Sequence, residues 1–306
     1  MSLNRPTIFK PFTLALIQLG NIGTNKSDNL KHAREMILKA AEHQSHGKKP
    51  SLIVLPECFN SPYGHTHFPV YAEKIGFTPE QPYDIASSES ESVKMLSSAA
   101  KDVGSWLIGG SIPEKGEAGG NIYNTCTVYN PQGDLVAIHR KIHLFDIDIP
   151  GKIKFKESET LTGGNQLTFF DTDFARIGLG ICYDVRFPEL AMISARQGCH
   201  VLVYPGAFNM TTGPLHWELL QRSRAVDNQV FMSMCSPARD LTAGYHAWGH
   251  SMVVDPMGEK LAEADDSESI IYADIDPQVM HNARNGIPVT TQRRFDVYPD
   301  VATTKK

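Results

Sequence analysis

The stretch GLGICYDVRFP, residues 178–188, decides the fold of this chain. An apolar run leads into Cys182, and Pro188, which suits the first turn of a helix, follows six residues later. This order predicts a strand, a sharp turn and a helix. In open α/β sheets such turns lie at the carboxyl ends of strands, where ligand sites form. The stretch therefore predicts an α/β protein with Cys182 at the edge of a sheet.

Strand and helix patterns alternate on both sides of this stretch, which is typical of parallel strands with helices packed against a sheet. Each half also contains a hairpin pattern, and a last strand and helix follow the second one. Strands are predicted at residues 12–19, 52–55, 106–112, 123–129, 135–138, 168–171, 177–181, 201–204, 229–235, 249–255, 259–264 and 270–275. Helices are predicted at residues 28–42, 87–103, 188–197, 214–228 and 277–284, the first capped by Ser27 or Asp28.

The two halves repeat one pattern, and no Ser/Gly-rich linker separates them. We therefore predict a single domain over residues 12–298, in which two sheets pack face to face with helices outside. A loose leader is expected at residues 1–11 and a loose tail at residues 299–306.

Composition argues against several classes of function. The chain has 306 residues, a net charge of −5 and no stripe of lysine and arginine, so neither nucleic acid nor an anionic membrane is an expected partner. Its apolar runs fall well short of the roughly 20 residues that span a bilayer. A membrane association is therefore not predicted.

The cysteines indicate the compartment. There are 5, irregularly spaced and without a CxxC pair, so the sequence suggests neither a zinc site nor a disulfide framework. A reducing compartment, the cytoplasm, fits this pattern best. Arg5 and Lys10, with no acidic residue among the first 12, leave a short mitochondrial presequence as the alternative.

Two further residues could assist a cysteine nucleophile. Glu57 follows the strand at 52–55, so its carboxylate is expected at the same sheet edge as Cys182, where poor hydration would raise its pKa. Lys141 follows the strand at 135–138, and its ammonium could stabilise a thiolate or a substrate oxyanion. Taken singly, each has a simpler interpretation: a structural cysteine, a loop glutamate, and a solvated charge cluster around His139 and Arg140.

Together these segments resemble the nitrilase, or carbon–nitrogen hydrolase, superfamily over about residues 12–298. The shared order is a glutamate after an apolar strand (LPE, 55–57), a lysine after a hairpin (RK, 140–141) and a cysteine at a turn (GICYD, 180–184). The resemblance implies an α/β fold, a four-layer α-β-β-α sandwich of two internally similar halves, and a homodimer formed through the helices after the cysteine. It also implies a second glutamate beside the lysine, for which Glu157 fits and Glu159 is the alternative.

Three longer segments resemble the omega-amidase branch: ECFNSPYG (57–64), KIHLFDID (141–148) and PGAFNMTTGPLHW (205–217). Omega-amidases hydrolyse the terminal amide of 2-oxoglutaramate or 2-oxosuccinamate to 2-oxoglutarate or oxaloacetate and ammonia. By position, the resemblance implies a pocket lined by Tyr63, Arg186, Phe208 and Thr212. The guanidinium of Arg186 suits the substrate carboxylate, while a surface salt bridge is its alternative role.

The expected mechanism needs neither metal nor organic cofactor. Cys182 attacks the amide carbon, Glu57 serves as general base and acid, and a thioester forms and is hydrolysed. Lys141 and the backbone N–H of Tyr183 stabilise the oxyanion, while Glu157 supports Lys141.

Three alternatives stay open at this point. One is another amidase of the superfamily, acting on deaminated glutathione, a carbamoyl amide or a nitrile. The others are a non-catalytic dimeric scaffold and a thiol redox sensor in which Cys58 lies near Cys182. The sequence does not decide between four- and five-carbon substrates.

Overall fold

The computed structural model describes residues 8–45, 47–79, 81–117 and 120–303. Within these ranges the helices are α1 (Lys26–Glu42), α2 (Phe68–Tyr71), α3 (Glu91–Val103), α4 (Pro188–Arg196), α5 (Gly213–Asn228) and α6 (Pro277–Gly286). The strands are β1 (Phe12–Gln18), β2 (Leu52–Val54), β3 (Trp106–Lys115), β4 (Ile122–Tyr129), β5 (Leu135–Arg140), β6 (Asp146–Ile149), β7 (Ile153–Lys156), β8 (Phe169–Asp171), β9 (Arg176–Leu179), β10 (Val201–Pro205), β11 (Phe231–Cys235), β12 (Met252–Val254), β13 (Lys260–Glu263) and β14 (Ser269–Ile275).

The strands form two large sheets with related topology. The first has the order β14-β1-β2-β3-β4-β5 and the second the order β13-β12-β11-β10-β9-β8. Strands β1 to β3 are parallel, as are β9 to β11, and each trio continues into antiparallel strands. The two halves therefore share a core of three parallel strands, as the sequence predicts.

Alternation along the strands explains the layers. In β1, Leu14 and Leu16 belong to the apolar core that both sheets share, whereas Ala15 and Ile17 pack with the buried face of α1 and α3. Successive strand residues point to opposite faces, so a strand that is apolar throughout must be covered on both sides. Trp217 of α5 packs against the second sheet. The predicted four-layer α-β-β-α sandwich is confirmed.

The last strand crosses between the halves. β14 follows the hairpin of the second sheet but pairs antiparallel with β1 of the first, from Phe12 opposite Ile275 to Gln18 opposite Ser269. The sequence predicts this strand without indicating its partner. The pairing joins the two ends of the chain in one sheet.

Some boundaries differ from the sequence predictions. Helix α1 is capped by Asn25, whose side chain accepts the Ser27 N–H at 3.0 Å, so the predicted caps Ser27 and Asp28 are wrong. Helix α3 begins only after Ser90, whose hydroxyl accepts the N–H of Val93. The β6–β7 hairpin and the short α2 were not predicted.

The chain ends are described only in part. Residues 1–7 and 304–306 lie outside the described residues, so the loose leader, the loose tail and the bounds of the domain stay predictions. Nearer the domain, the Phe9 ring stacks on His200 with a centroid separation of 4.3 Å, and Asp300 accepts a hydrogen bond from Arg196 at 2.5 Å. In the part of the chain described, no helix combines the length and apolar character needed to cross a bilayer.

Candidate active site

The structure brings together four ionisable side chains that the sequence indicated. Glu57 follows β2, Lys141 follows β5, Glu157 lies in a short 3-10 turn after β7, and Cys182 follows β9. All four are at most 3 % exposed. Buried ionisable groups are costly unless they are paired, so their position at the ends of four different strands calls for mutual contacts.

Lys141 is at the centre of these contacts. Its Nζ lies 3.0 Å from Glu57 Oε1 and 3.0 Å from Glu157 Oε1. Burial alone would lower the pKa of this ammonium, but the charges of Glu157 and Glu57 outweigh burial and raise its pKa well above the usual value. Lys141 is therefore a permanent cation and a poor proton donor at neutral pH.

Glu57 has a different electrostatic environment. One oxygen, Oε1, accepts hydrogen bonds from Lys141 and, at 2.8 Å, from Asn124 Nδ2, while Oε2 has no partner among the described residues. Burial raises the pKa of Glu57, the Lys141 charge opposes the rise, and the Glu157 charge adds to it. A carboxylate with one free oxygen and a raised pKa suits a general base.

Cys182 occupies a strained turn. Its φ of +48° lies in the left-handed region, which residues other than glycine rarely adopt. The neighbouring end of β10 comes close because Gly206 has no side chain: a Cβ there would lie 3.2 Å from Cys182 Cα. The N–H of Ala207 then donates to Cys182 Sγ at 3.4 Å. This close approach aims a backbone donor at the sulfur.

The resting sulfur is a thiol. Burial raises the pKa of Cys182 well above its usual value, the Glu57 carboxylate adds to the rise, and Lys141 opposes it. Because the thiol will not ionise spontaneously at neutral pH, attack requires a base within reach. Glu57 is the adjacent candidate, since its carboxylate interacts with the Cys182 side chain.

Glu157, not Glu159, lies beside Lys141. Its carboxylate accepts the N–H of Phe145 at 2.7 Å and the hydroxyl of Tyr63 at 2.9 Å, whereas Glu159 is exposed at the surface. Three donors including Lys141 thus fix the Glu157 carboxylate in place. The contact with Tyr63 links the charged cluster to the wall of a cavity.

That cavity opens beside the cluster. Glu57 and Tyr63 line it, together with Ala207 and Tyr245. The Tyr63 and Tyr245 rings lie 4.5 Å apart, and the Tyr245 hydroxyl donates to the Ala207 carbonyl at 2.5 Å. Burial raises the pKa of both tyrosines, so both stay neutral and can donate hydrogen bonds. The cavity thus has an aromatic wall next to the thiol.

Arg186, expected in the pocket wall, is not among the residues that line the cavity, and the described residues give it no acidic partner. Its Nη1 lies 3.1 Å from His216 Nδ1, its guanidinium carbon is 4.7 Å from the Phe208 ring centre, and its Nε has no hydrogen-bond partner among the described residues. Among the described residues, no carboxylate lies within ion-pair distance of the Arg186 guanidinium. The alternative of a surface salt bridge is therefore wrong. Burial lowers the pKa of Arg186, and the Cys182 and Tyr183 groups partly offset this effect.

The other predicted site residues have mixed placements. Phe208 is 3 % exposed, packs edge-on against Trp217 at 5.2 Å and contacts Arg186 with its ring, but it does not line the cavity. Thr212 bonds Asn209 at 3.3 Å ahead of α5 and does not line the cavity. Tyr183 lies in the first turn of a short 3-10 helix, where backbone N–H groups lack partners within the helix.

One expectation about the neighbours of Lys141 is wrong. His139 is not part of a solvated charge cluster: it is 1 % exposed and lies 3.3 Å from Asp184 Oδ2. Arg140 pairs with the buried Glu114 at 2.7 and 2.8 Å. The reason is the pleat of β5, which turns alternate residues inward, so position 139 faces the core with 141.

Sequence reasoning missed three residues of this region: Asn124, Tyr245 and Asp184. Asn124 lies in a predicted strand, and its inward position opposite the end of β5 required the register of the sheet. Tyr245 lies in the long segment between β11 and β12, which carried no motif. Asp184 lies in the GICYD segment, but the sequence pattern alone predicts no role for it.

Comparisons with known proteins agree with this geometry. Residues 13–285 match the model of the carbon–nitrogen hydrolase family. The chain is 56 % identical to the omega-amidase NIT2 of Homo sapiens over 287 residues, covering 94 % of this chain and 96 % of the relative. It is 54 % identical to a hydrolase of Schizosaccharomyces pombe over 301 residues, covering 98 % and 88 %.

A solved structure gives the same result. The crystal structure of Saccharomyces cerevisiae Nit3, a member of branch 10 of the nitrilase superfamily, superposes with a TM-score of 0.83 at 47 % identity, covering 94 % of this chain and 97 % of that one. The predicted superfamily is thus confirmed. The chain belongs to the carbon–nitrogen hydrolase family of the nitrilase superfamily.

Proposed function

We propose that this chain is an omega-amidase that hydrolyses the terminal amide of 2-oxo dicarboxylic acid monoamides to a 2-oxo acid and ammonia. The observation that carries the proposal is the pairing of two features. One is a thiol with a buried base beside it, and the other is Arg186, four residues further along the chain, a cation for which the described residues supply no carboxylate partner. The first suits an amide and the second an anion at the other end of the same small substrate. The similarity to the human omega-amidase supports this substrate class.

Acylation begins with a proton transfer inside the buried cluster. Glu57 takes the proton of Cys182 as the sulfur attacks the amide carbon, so the net charge of the buried groups does not change. Proton transfer between adjacent groups avoids the cost of creating an extra charge away from water. Lys141 and the backbone N–H of Tyr183 stabilise the negative charge that develops on the amide oxygen.

Breakdown of the intermediate uses the same groups. Glu57 returns its proton to the amide nitrogen, ammonia leaves, and the acyl group remains on Cys182 as a thioester. Water then attacks the thioester carbon while Glu57 accepts a proton from it, and the sulfur leaves and is reprotonated. Glu157 holds Lys141 in place throughout, because its own carboxylate is fixed by Phe145 and Tyr63.

Substrate binding at the other end is assigned to Arg186. A planar guanidinium forms two parallel hydrogen bonds with a carboxylate, and it loses less on leaving water than an ammonium would. Packing of the guanidinium over the Phe208 ring leaves its edge available to such a ligand. Tyr63 supplies an apolar wall to the cavity, and Thr212 acts indirectly through the segment ahead of α5.

The test is ammonia release from a panel of amides. The purified chain is given 2-oxoglutaramate, 2-oxosuccinamate, an uncharged amide of equal length, deaminated glutathione, a carbamoyl amide and a nitrile. We expect kcat/KM to be highest for one of the two 2-oxo acid amides, and at least about tenfold lower for the uncharged amide, given the value of a charge-assisted contact. A higher kcat/KM on deaminated glutathione, or no turnover of any 2-oxo acid amide, contradicts the proposal.

We also propose a homodimer in the cytoplasm. Leu215, Leu219 and Val226 form an exposed apolar stripe along α5, and Met257 lies next to it. Apolar side chains grouped on one helix face commonly mark a subunit interface. Sedimentation equilibrium should give twice the mass of the chain, and Leu219→Glu should shift the species toward the monomer. A monomeric wild type contradicts this assembly.

A further inference from the structure

Asp184 is a fully buried carboxylate two residues after Cys182, and the mechanism above does not use it. It accepts hydrogen bonds from two parts of the chain. Oδ2 accepts the backbone N–H of Ile181 at 2.9 Å, and Oδ1 accepts the backbone N–H of His143 at 2.9 Å. The first contact belongs to the cysteine turn and the second to the segment after Lys141.

Two imidazoles complete the shell of Asp184. His143 Nδ1 lies 2.7 Å from Oδ1, and His139 Nε2 lies 3.3 Å from Oδ2. These histidines stand two residues after and two residues before Lys141. The Asp184 carboxylate therefore forms hydrogen bonds with residues on both sides of Lys141 in the chain.

The same carboxylate stabilises the strained turn. Ile181 precedes Cys182, whose φ is +48°, and the Asp184 backbone N–H also donates to the Ile181 carbonyl at 3.0 Å. A carboxylate that accepts the N–H of the residue before a helical turn holds that turn closed. Rare backbone conformations persist only where the surroundings enforce them.

We propose that Asp184 is a positioning residue that sets the distance between Lys141 and Cys182 by tying both flanks of the lysine to the cysteine turn. The inference rests on the roles proposed above for those two residues. Lys141 comes from the first sheet and Cys182 from the second, so nothing within one sheet fixes their separation. A donor misplaced by a fraction of an ångström loses much of its stabilisation of an oxyanion.

The charge of Asp184 matters as well as its shape. Burial alone would raise its pKa, but the hydrogen bonds from His139 and His143 outweigh burial and keep its pKa below the ordinary range. Asp184→Asn preserves the size of the side chain but places a donor where Oδ1 or Oδ2 now accepts. At least one of the contacts must then break.

The control is Glu73→Gln. Glu73 is another buried carboxylate with several donors, accepting hydrogen bonds from Asn60 at 3.0 Å, Ser90 at 2.7 Å and Ser92 at 2.6 Å. It has no place in the proposed chemistry. For both variants, Tm, active-site content by iodoacetamide titration, kcat and KM on 2-oxoglutaramate are measured.

We expect Asp184→Asn to lower kcat about 10- to 150-fold per titrated active site, with KM within about threefold, as the loss of a charged hydrogen bond predicts. Both variants should lower Tm by similar amounts, because each disturbs a buried carboxylate with several donors. Glu73→Gln, however, should leave kcat per titrated site within about threefold of wild type. An Asp184→Asn kcat within threefold of wild type, or equal losses in both variants, overturns the inference.

A second variant covers the case in which Asp184→Asn does not fold. His143 is partly exposed and stacks on Phe187 at 3.6 Å, so His143→Phe keeps the ring stacking and the backbone hydrogen bond to Asp184 and removes only the hydrogen bond of the imidazole. It should lower kcat about 2- to 12-fold with KM unchanged, the range for one lost hydrogen bond. Wild-type kcat overturns the inference. The proposed function fails on wild-type measurements alone: no turnover of any 2-oxo acid amide, or a higher kcat/KM on deaminated glutathione. The inference fails on the variants, so the two failures are distinguishable.

Discussion

Two cations lie in or beside the site, and they differ in their counter-charges. Lys141 is fully buried between Glu57 and Glu157, both within 3.0 Å, and its pKa is raised. Arg186 is partly buried, has an aromatic face and a histidine for neighbours, and has a pKa lowered by burial. A buried cation whose counter-charges belong to the protein is part of the catalytic apparatus. A partly buried cation without them is stabilised when an anion binds beside it, which suits a substrate-binding group.

The largest effect on ammonia release is expected from removal of the Cys182 sulfur. Cys182→Ala should fold normally and lose at least about 10³-fold in ammonia release, since removal of one member of a catalytic unit removes nearly all of its contribution. Cys199→Ala, at another fully buried cysteine, is the matched control and should stay active. A Cys182→Ala rate within tenfold of wild type would remove the sulfur from the mechanism.

The role of Lys141 is tested by two variants: Lys141→Arg changes the shape of the side chain at constant charge, and Lys141→Met removes the charge. Lys141→Arg and Lys141→Met should both lose about 10²-fold or more in kcat, because a fully buried site fitted to one ammonium cannot place the wider guanidinium at the same point. Lys154→Met, at an exposed lysine paired with Asp148, should have wild-type kcat. If Lys141→Arg kept near-normal kcat, Lys141 would attract substrate and not contact the oxyanion.

Variants of Arg186 should lose kcat/KM on the anionic substrate only, whereas variants of Lys141 should lose kcat. Arg186→Met should lose about 10- to 150-fold in kcat/KM on 2-oxoglutaramate, the equivalent of about 1.5–3 kcal/mol, and little on an uncharged amide of equal length. Arg186→Lys should restore activity only in part, because a point charge replaces a planar fork. Steady-state kinetics of the three proteins on both amides decide the matter. Equal losses on the two amides would mean that Arg186 supports the cysteine turn.

The pH dependence of kcat/KM reports on the ionisation of Glu57. Glu57 must be ionised to accept the thiol proton, and its pKa is raised above the ordinary value of 4.5. Activity is therefore lost as the pH falls through this raised pKa, by about tenfold per pH unit for a single proton. The alkaline side should stay flat to pH 9, since the pKa of Lys141 lies well above its usual 10.5. Measured kcat/KM with its acid limb at or below pH 4.5 would contradict this assignment.

The smallest effect is expected at Tyr63. Tyr63→Phe removes one of the donors to Glu157, while the Lys141 and Phe145 contacts remain. A single lost hydrogen bond of about 0.5–1.5 kcal/mol lowers kcat about 2- to 12-fold. Paired measurement of kcat and KM separates this effect from lost substrate contact, which would appear as a higher KM alone.

Much of this architecture follows from local sequence patterns. The alternation of strands and helices gave the sandwich, and the ends of apolar runs located Glu57, Lys141 and Cys182, because a strand that ends in a polar residue leaves it at a sheet edge. Their roles, and those of Glu157 and the lining residues, stay predictions. The partner of β14 was not predictable, since the choice between two sheets is made by long-range packing.

Contacts that depend on register were equally out of reach. Asn124 and Asp184 act through side chains whose partners are 67 and 41 residues away in the chain. Tyr245 comes from a segment without any periodic pattern. Thr212 shows a limit of reasoning from family resemblance. The resemblance implied that it lines the pocket, but its side chain forms a hydrogen bond with Asn209 and does not line the cavity.

The pairing of β14 with β1 has a consequence for the synthesis of the protein. Strand β1 is synthesised before β14, the partner on one of its edges, so this edge of β1 stays unpaired until the second sheet has been synthesised. An unpaired apolar edge is prone to aggregation, and contacts between distant residues form slowly. We therefore expect the nascent chain to depend on chaperones, and we expect truncation before β14 to yield insoluble protein.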